Sequence, residues 1–144
     1  MNPDTLFQYA NTLALLGWIV LLASPFVPGW ADRISGTIIP LLLAIAYSGL
    51  VLAFWSGAQG GFDSLVNVEK LFQTREVVLA GWIHYLAFDL FVGAWAVRTA
   101  RAESMPFLLV APCLALTFLF GPAGLLAFQS LRFVRARIVM PAAA

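Results

Sequence analysis

The sequence predicts an all-α membrane protein: a polytopic bundle of four transmembrane helices, with a short interfacial helix between the second and third. Three observations lead there. Hydrophobic residues make up 62% of the 144 and charged residues only 10%, where soluble chains run at about 45–50% and about 25%. Four stretches come close to or exceed the roughly 20 apolar residues that cross a bilayer core of about 30 Å. Of all the charged residues, only Asp89 lies deep inside one of these stretches. A net charge of +1 offers no basic stripe for nucleic acid. A single cysteine, Cys113, excludes an internal disulfide framework and a cysteine-cluster zinc site.

The chain reads as one membrane domain over 1–144. The spans fall at about 6–26, 38–55, 76–97 and 106–128. Pro25, Pro28, Gly29 and Asp32 mark the first break, Ser56, Gly57, Gly60 and Gly61 the second, and the polar run from Arg98 to Ser104 the third. Trp30 and Trp55 stand near span ends, where interfacial aromatics collect. The first span has no basic residue ahead of it and is longer than a signal-peptide core, so it is expected to stay attached. Nothing ahead of Leu6 resembles an organellar targeting segment, and a prokaryotic origin is expected.

The second break is long. Asp63 and Ser64 are N-cap candidates for a short helix over about 64–72, with Leu65, Val68, Leu71 and Phe72 on one side. Two roles are open to it: an interfacial helix lying on the bilayer, or a lid over a cavity between helices. With four crossings, Lys70, Arg75, Arg132, Arg135 and Arg137 share a face with both termini, the last three in a basic tail over 132–144. Arg33, Arg98 and Arg101 take the other face. That balance favours both termini in the cytoplasm.

His84 and Asp89, near the middle of the third span, are the candidate catalytic residues. A carboxylate at mid-bilayer costs about 2.5–3.5 kcal/mol on insertion scales, and such residues are functional by default. Both groups suit proton exchange in an apolar site. Five residues set them roughly 140° apart around a helix, with Gly81, Tyr85, Phe88 and Val92 between them. This arc is expected to face neighbouring helices, and Leu79, Ile83, Leu86 and Leu90 to face lipid. The competing role for the pair is purely structural, as bonded groups that fix packing. One histidine and one carboxylate are too few for a metal site.

Asn11, Tyr47 and Thr117 from the other spans, with Trp82, Tyr85 and Phe88 from the third, are the candidate substrate contacts. Thr117 and Ser48 have the alternative of bonding back to their own helices. In the fourth span Cys113, Thr117 and Gly121 place a small residue at every fourth position, which permits close helix approach. Pro112 and Pro122 free the carbonyls of Leu108 and Phe118, which then need partners inside the bundle.

The run Trp82-Ile83-His84-Tyr85-Leu86-Ala87-Phe88-Asp89-Leu90-Phe91-Val92-Gly93-Ala94-Trp95 resembles the signature of the neoxanthin-synthase-like family, named for an abscisic-acid-deficient plant mutant. Phe62 to Phe72 is similar to that family too, as are Pro112-Cys113 and Phe120-Gly121-Pro122-Ala123-Gly124-Leu125-Leu126. The resemblance runs from the first helix to Gln129. Plant members are plastid membrane proteins linked to the conversion of violaxanthin into neoxanthin, an isomerisation in which an epoxide opens and an allene forms. It implies a bacterial member in the cytoplasmic membrane, and a modifying enzyme for a carotenoid or other isoprenoid. His84 and Asp89 would then share the acid and base roles, in either order, with no cofactor. The alternative is a non-catalytic subunit or pigment-binding scaffold, alone as a homo-oligomer or within a larger membrane complex. Membrane lipid is the remaining expected partner, and nucleic acid is not one.

Overall fold

A computed structural model describes residues 2–139. The end of the expected basic tail, 140–144, lies outside the described residues. These residues form helices only, and four helices are long and apolar enough to cross a membrane, as the composition predicts.

Helix α1 is Pro3–Leu22. It starts ahead of the expected span because the Asn2 side chain accepts from the Asp4 amide at 3.0 Å and Pro3 occupies the first turn, where its missing N–H costs nothing. The second span also begins early. Helix α2 (Pro28–Arg33) opens on Pro28 and passes through a π-helical turn at Ile34–Ile38 into α3 (Ile39–Phe54). The wide turn has a cause in Pro40, whose ring would collide with the Gly36 carbonyl one turn back. The buried Ser35 within that turn donates its Oγ–H to the Gly17 carbonyl of α1 at 2.7 Å.

Helix α4 (Leu65–Leu71) is capped by Ser64, which accepts from the Asn67 amide at 3.3 Å, in line with the N-cap expectation. The loop before it folds back onto it. Gly60 has φ +109°, and a Cβ there would run into the Asn67 carbonyl, so only glycine serves.

Helix α5 (Arg75–Ala102) is the centre of the bundle and packs against α1, α3 and α6. It extends past the expected end and stops in a Schellman motif. Ser104 takes φ 52°, the Met105 amide reaches the Ala100 carbonyl at 2.8 Å, and Pro106 follows. This centrality overturns half of the expected facing of the third span. Leu79, Ile83, Leu86 and Leu90, read as the lipid side, are buried, Ile83 and Leu90 at 0% exposure. On the opposite arc Phe88 is exposed, but His84 meets Tyr47 of α3, and Tyr85 and Asp89 meet α6, as expected of that arc. In a bilayer an aliphatic face carries no signal of its own, because lipid is as apolar as leucine; contact with three helices decides the matter.

Helix α6 (Phe107–Val139) is broken. Phe120 and Gly121 leave helical geometry just ahead of Pro122, and the second arm doubles back beside the first. Arg132 Nε donates to Glu103 at 2.9 Å, Arg135 donates to the Ser104 carbonyl at 3.0 Å, and Phe128 meets Trp95 edge-on at 5.5 Å. An unbroken helix would carry Arg132 about 38 Å from the start of α6. The expectation that Arg132 and Arg135 share a face with the first residues of α1 therefore fails. Both arginines stand at the other end of the bundle, with Asp32 and Arg101, which pair at 3.0 Å. The start of α1 is fixed at the opposite end by the pair Asp4–Arg75.

Candidate functional site between helices three, four and five

The π turn and Pro40 set the course of α3, and the glycine-rich loop brings α4 across the gap between α3 and α5. A cavity of about 280 Å³ is left beneath it. Tyr47 and Trp55 line it from α3 and just beyond, Phe62, Leu71 and Phe72 from the loop and α4, and Gly81 and His84 from α5. Leu71 is buried. Phe72 lies so close to Gly81 that a Cβ there would sit 2.9 Å from its ring edge. The end of the short helix thus closes one side of the cavity.

His84 stands on the cavity wall. Its ring stacks on Phe88 at 4.5 Å between centroids and meets Tyr47 at 5.5 Å, tilted by 57°. Phe88 is exposed and continues the aromatic wall out of the cavity onto the membrane-facing side of α5.

Asp89 lies elsewhere. It is 8% exposed and turns toward the break in α6, where a Cβ on Gly121 would lie 2.8 Å from its Cγ and 2.9 Å from Oδ2. That Oδ2 has no hydrogen-bond partner. The carboxyl thus lies against the turn that joins the two arms of α6. Tyr85, one turn earlier, donates its O–H to the Leu119 carbonyl at 3.0 Å and to the Phe118 carbonyl at 3.3 Å. The carbonyl that Pro122 sets free is thus answered by α5, as the sequence required. His84 and Asp89 do not converge on one site; they flank α5 on the sides of α3 and α6.

The remaining candidate contacts divide the same way. Tyr47 lines the cavity with His84. Trp82 Nε1 donates to Asn11 Oδ1 at 3.1 Å, while Asn11 Nδ2 bonds back to the Phe7 carbonyl at 2.7 Å, so both belong to the seam between α1 and α5. Thr117 is buried and bonds back to the Cys113 carbonyl at 2.8 Å. Missed in the sequence were Trp55, Phe62 and Phe72. The signal for them was there, since three aromatics bracket a glycine-rich loop and a short amphipathic helix. Among the described residues, no three histidine, cysteine or acidic side chains cluster in a way that could hold a metal ion.

A small helical membrane protein with an aromatic cavity under a short cover defines the class. The family follows from the sequence: the profile of the ABA4-like family, ABA DEFICIENT 4-like, matches residues 5–128, and the chain belongs to that family. Neither a curated protein nor a solved structure matches it.

Proposed function

We propose that this integral membrane protein binds the end group of a carotenoid or related isoprenoid under α4 and isomerises it by proton transfer. The observation that carries this reading is the position of His84, the chain's single histidine, on the wall of the aromatic cavity beside Tyr47. The family supplies the reaction class, through its relation to neoxanthin synthase. At about 280 Å³ the cavity is at the small end of ligand pockets. It suits one ring, with the polyene lying out along Phe88 in the acyl chains.

The chemistry balances without a redox partner. Opening an epoxide to an allenic alcohol breaks a C–O bond, whose electron pair stays on oxygen, and oxygen takes a proton. A carbon-bound proton leaves, and its electron pair becomes the new C=C bond. In our reading His84 removes the carbon proton and the Tyr47 hydroxyl protonates the oxygen. The proton then passes from imidazolium to phenolate, restoring both groups. Asp89 serves as a positioning residue that seats the turn of α6 against α5.

The test is expression in a host making a defined epoxy-carotenoid, with pigments resolved by chromatography. A new isomer is expected, and His84→Ala should lower its formation by about 10²–10⁴-fold, the usual worth of a general base, at equal protein level. Undiminished conversion by that variant overturns the reading. The separation of His84 from Asp89 favours one alternative, a scaffold that holds a pigment without changing it. Its signature is an unmodified pigment that co-purifies with the wild type and is lost in His84→Ala.

A further inference from the structure

The two ends of the bundle differ in charge, and the fold-back of α6 is what makes them differ. Of the eight Lys and Arg residues, Arg33, Arg98, Arg101, Arg132, Arg135 and Arg137 gather at the end where α5 stops, and only Lys70 and Arg75 at the end where it starts. The links Arg101–Asp32, Arg132–Glu103 and Arg135–Ser104 tie the first group together. The acids run the other way. Asp32 and Glu103 are at the arginine end, while Asp4, Asp63, Glu69 and Glu76 are at the end bearing α4.

The depth of the turn explains how α6 returns. Its first arm, Phe107 to Leu119, is about 20 Å long at 1.5 Å per residue, short of a hydrocarbon core of about 30 Å. Gly121, at the turn, lies against Asp89, which is midway along α5. A broken backbone at that depth needs partners within the protein for its polar groups; here Gly121 is buried against Asp89, and the Phe118 and Leu119 carbonyls accept from Tyr85. Lysine and arginine in short flanking segments mark the cytoplasmic side, and six against two is a strong bias.

We propose that the chain crosses the membrane three times, that α6 enters and leaves through the cytoplasmic face, and that α4 and the start of α1 lie on the opposite face. The second arm of α6 then ends in the cytoplasm. The cavity under α4 therefore receives its ligand from the non-cytoplasmic leaflet. This last clause rests on the binding role proposed above, while the topology does not.

Cysteine labelling in intact bacterial cells decides it. In a Cys113→Ala background, Gln59→Cys tests the loop over the cavity and Ala136→Cys the end of the second arm; both sites are exposed. With a membrane-impermeant maleimide, Gln59→Cys should label in intact cells and Ala136→Cys only after permeabilisation. Labelling of both sites from one side overturns the fold-back, and the reversed pattern overturns the orientation. If Cys113→Ala lowers the yield, protease-accessible tags at the same two positions in the wild-type chain give the same reading. No pigment takes part, so a failed isomerase assay leaves the outcome intact. Conversely, an overturned topology leaves the role of His84 standing.

Discussion

Replacing Gly121 and Asp89 by alanine, singly and together, tests the joint between α5 and the broken helix. A Cβ at position 121 would meet Asp89 Cγ at 2.8 Å and Oδ2 at 2.9 Å, where relaxed contacts to carbon begin near 3.5 Å. The carboxyl is buried, so the strain has to be taken up by α5 or the turn. Overpacking of this kind costs about 1–3 kcal/mol, roughly a 5- to 150-fold shift in the unfolding equilibrium. Asp89→Ala removes the colliding atoms. In that background the cost of the added methyl should fall by about 1–3 kcal/mol, the coupling between the two sites. Unfolding in mixed micelles with rising dodecyl sulfate, followed by tryptophan fluorescence, measures all four corners of the cycle. Additivity within about 0.5 kcal/mol would refute the contact, and with it the seating of the turn on Asp89.

Two further predictions follow from the cover and from the arginine end. Gly81→Leu should push Phe72 away and fill the cavity, abolishing pigment conversion or retention; retained activity with an unchanged unfolding midpoint would show that the cavity is not the site. The hydrogen bond from Arg132, aided by the charges of Arg132 and Arg135, holds the Glu103 carboxyl below the usual carboxylate range. A carboxyl held low in the folded state adds stability above its unfolded value of about 4.3 and loses it as pH falls through the lower folded value. Stability should therefore decline below about pH 4.3 by a small, salt-sensitive amount, since solvent screens the pair. Arg132→Gln should flatten that slope, and an unaltered profile would contradict the pairing.

Much of the fold was legible because a membrane protein announces its elements through length and polarity. Pro28 and Pro3 moved helix starts by preorganising first turns, a local effect that hydropathy does not register. The facing of α5 was not legible. Aliphatic residues serve lipid and helix contacts equally well, so Leu79, Ile83, Leu86 and Leu90 gave no sign of which they meet. The break in α6 could be anticipated from Pro122 and the freed Phe118 carbonyl, and Tyr85 met the demand. Its angle could not. Whether a kink bends slightly or turns back depends on what the far arm finds to pack on, here Trp95 and Glu103. The same gap separated His84 from Asp89: spacing gave their angle around α5, but not that α3 stands on one side and α6 on the other.

The turn at Phe120–Gly121 also constrains how the molecule is assembled. Hydrocarbon offers nothing to its exposed peptide groups, so the last hairpin has no stable place in the bilayer until the middle of α5 is already there to receive it. Synthesis delivers the pieces in that order, and without Tyr85 and Asp89 already set in place α6 would have no socket into which to settle.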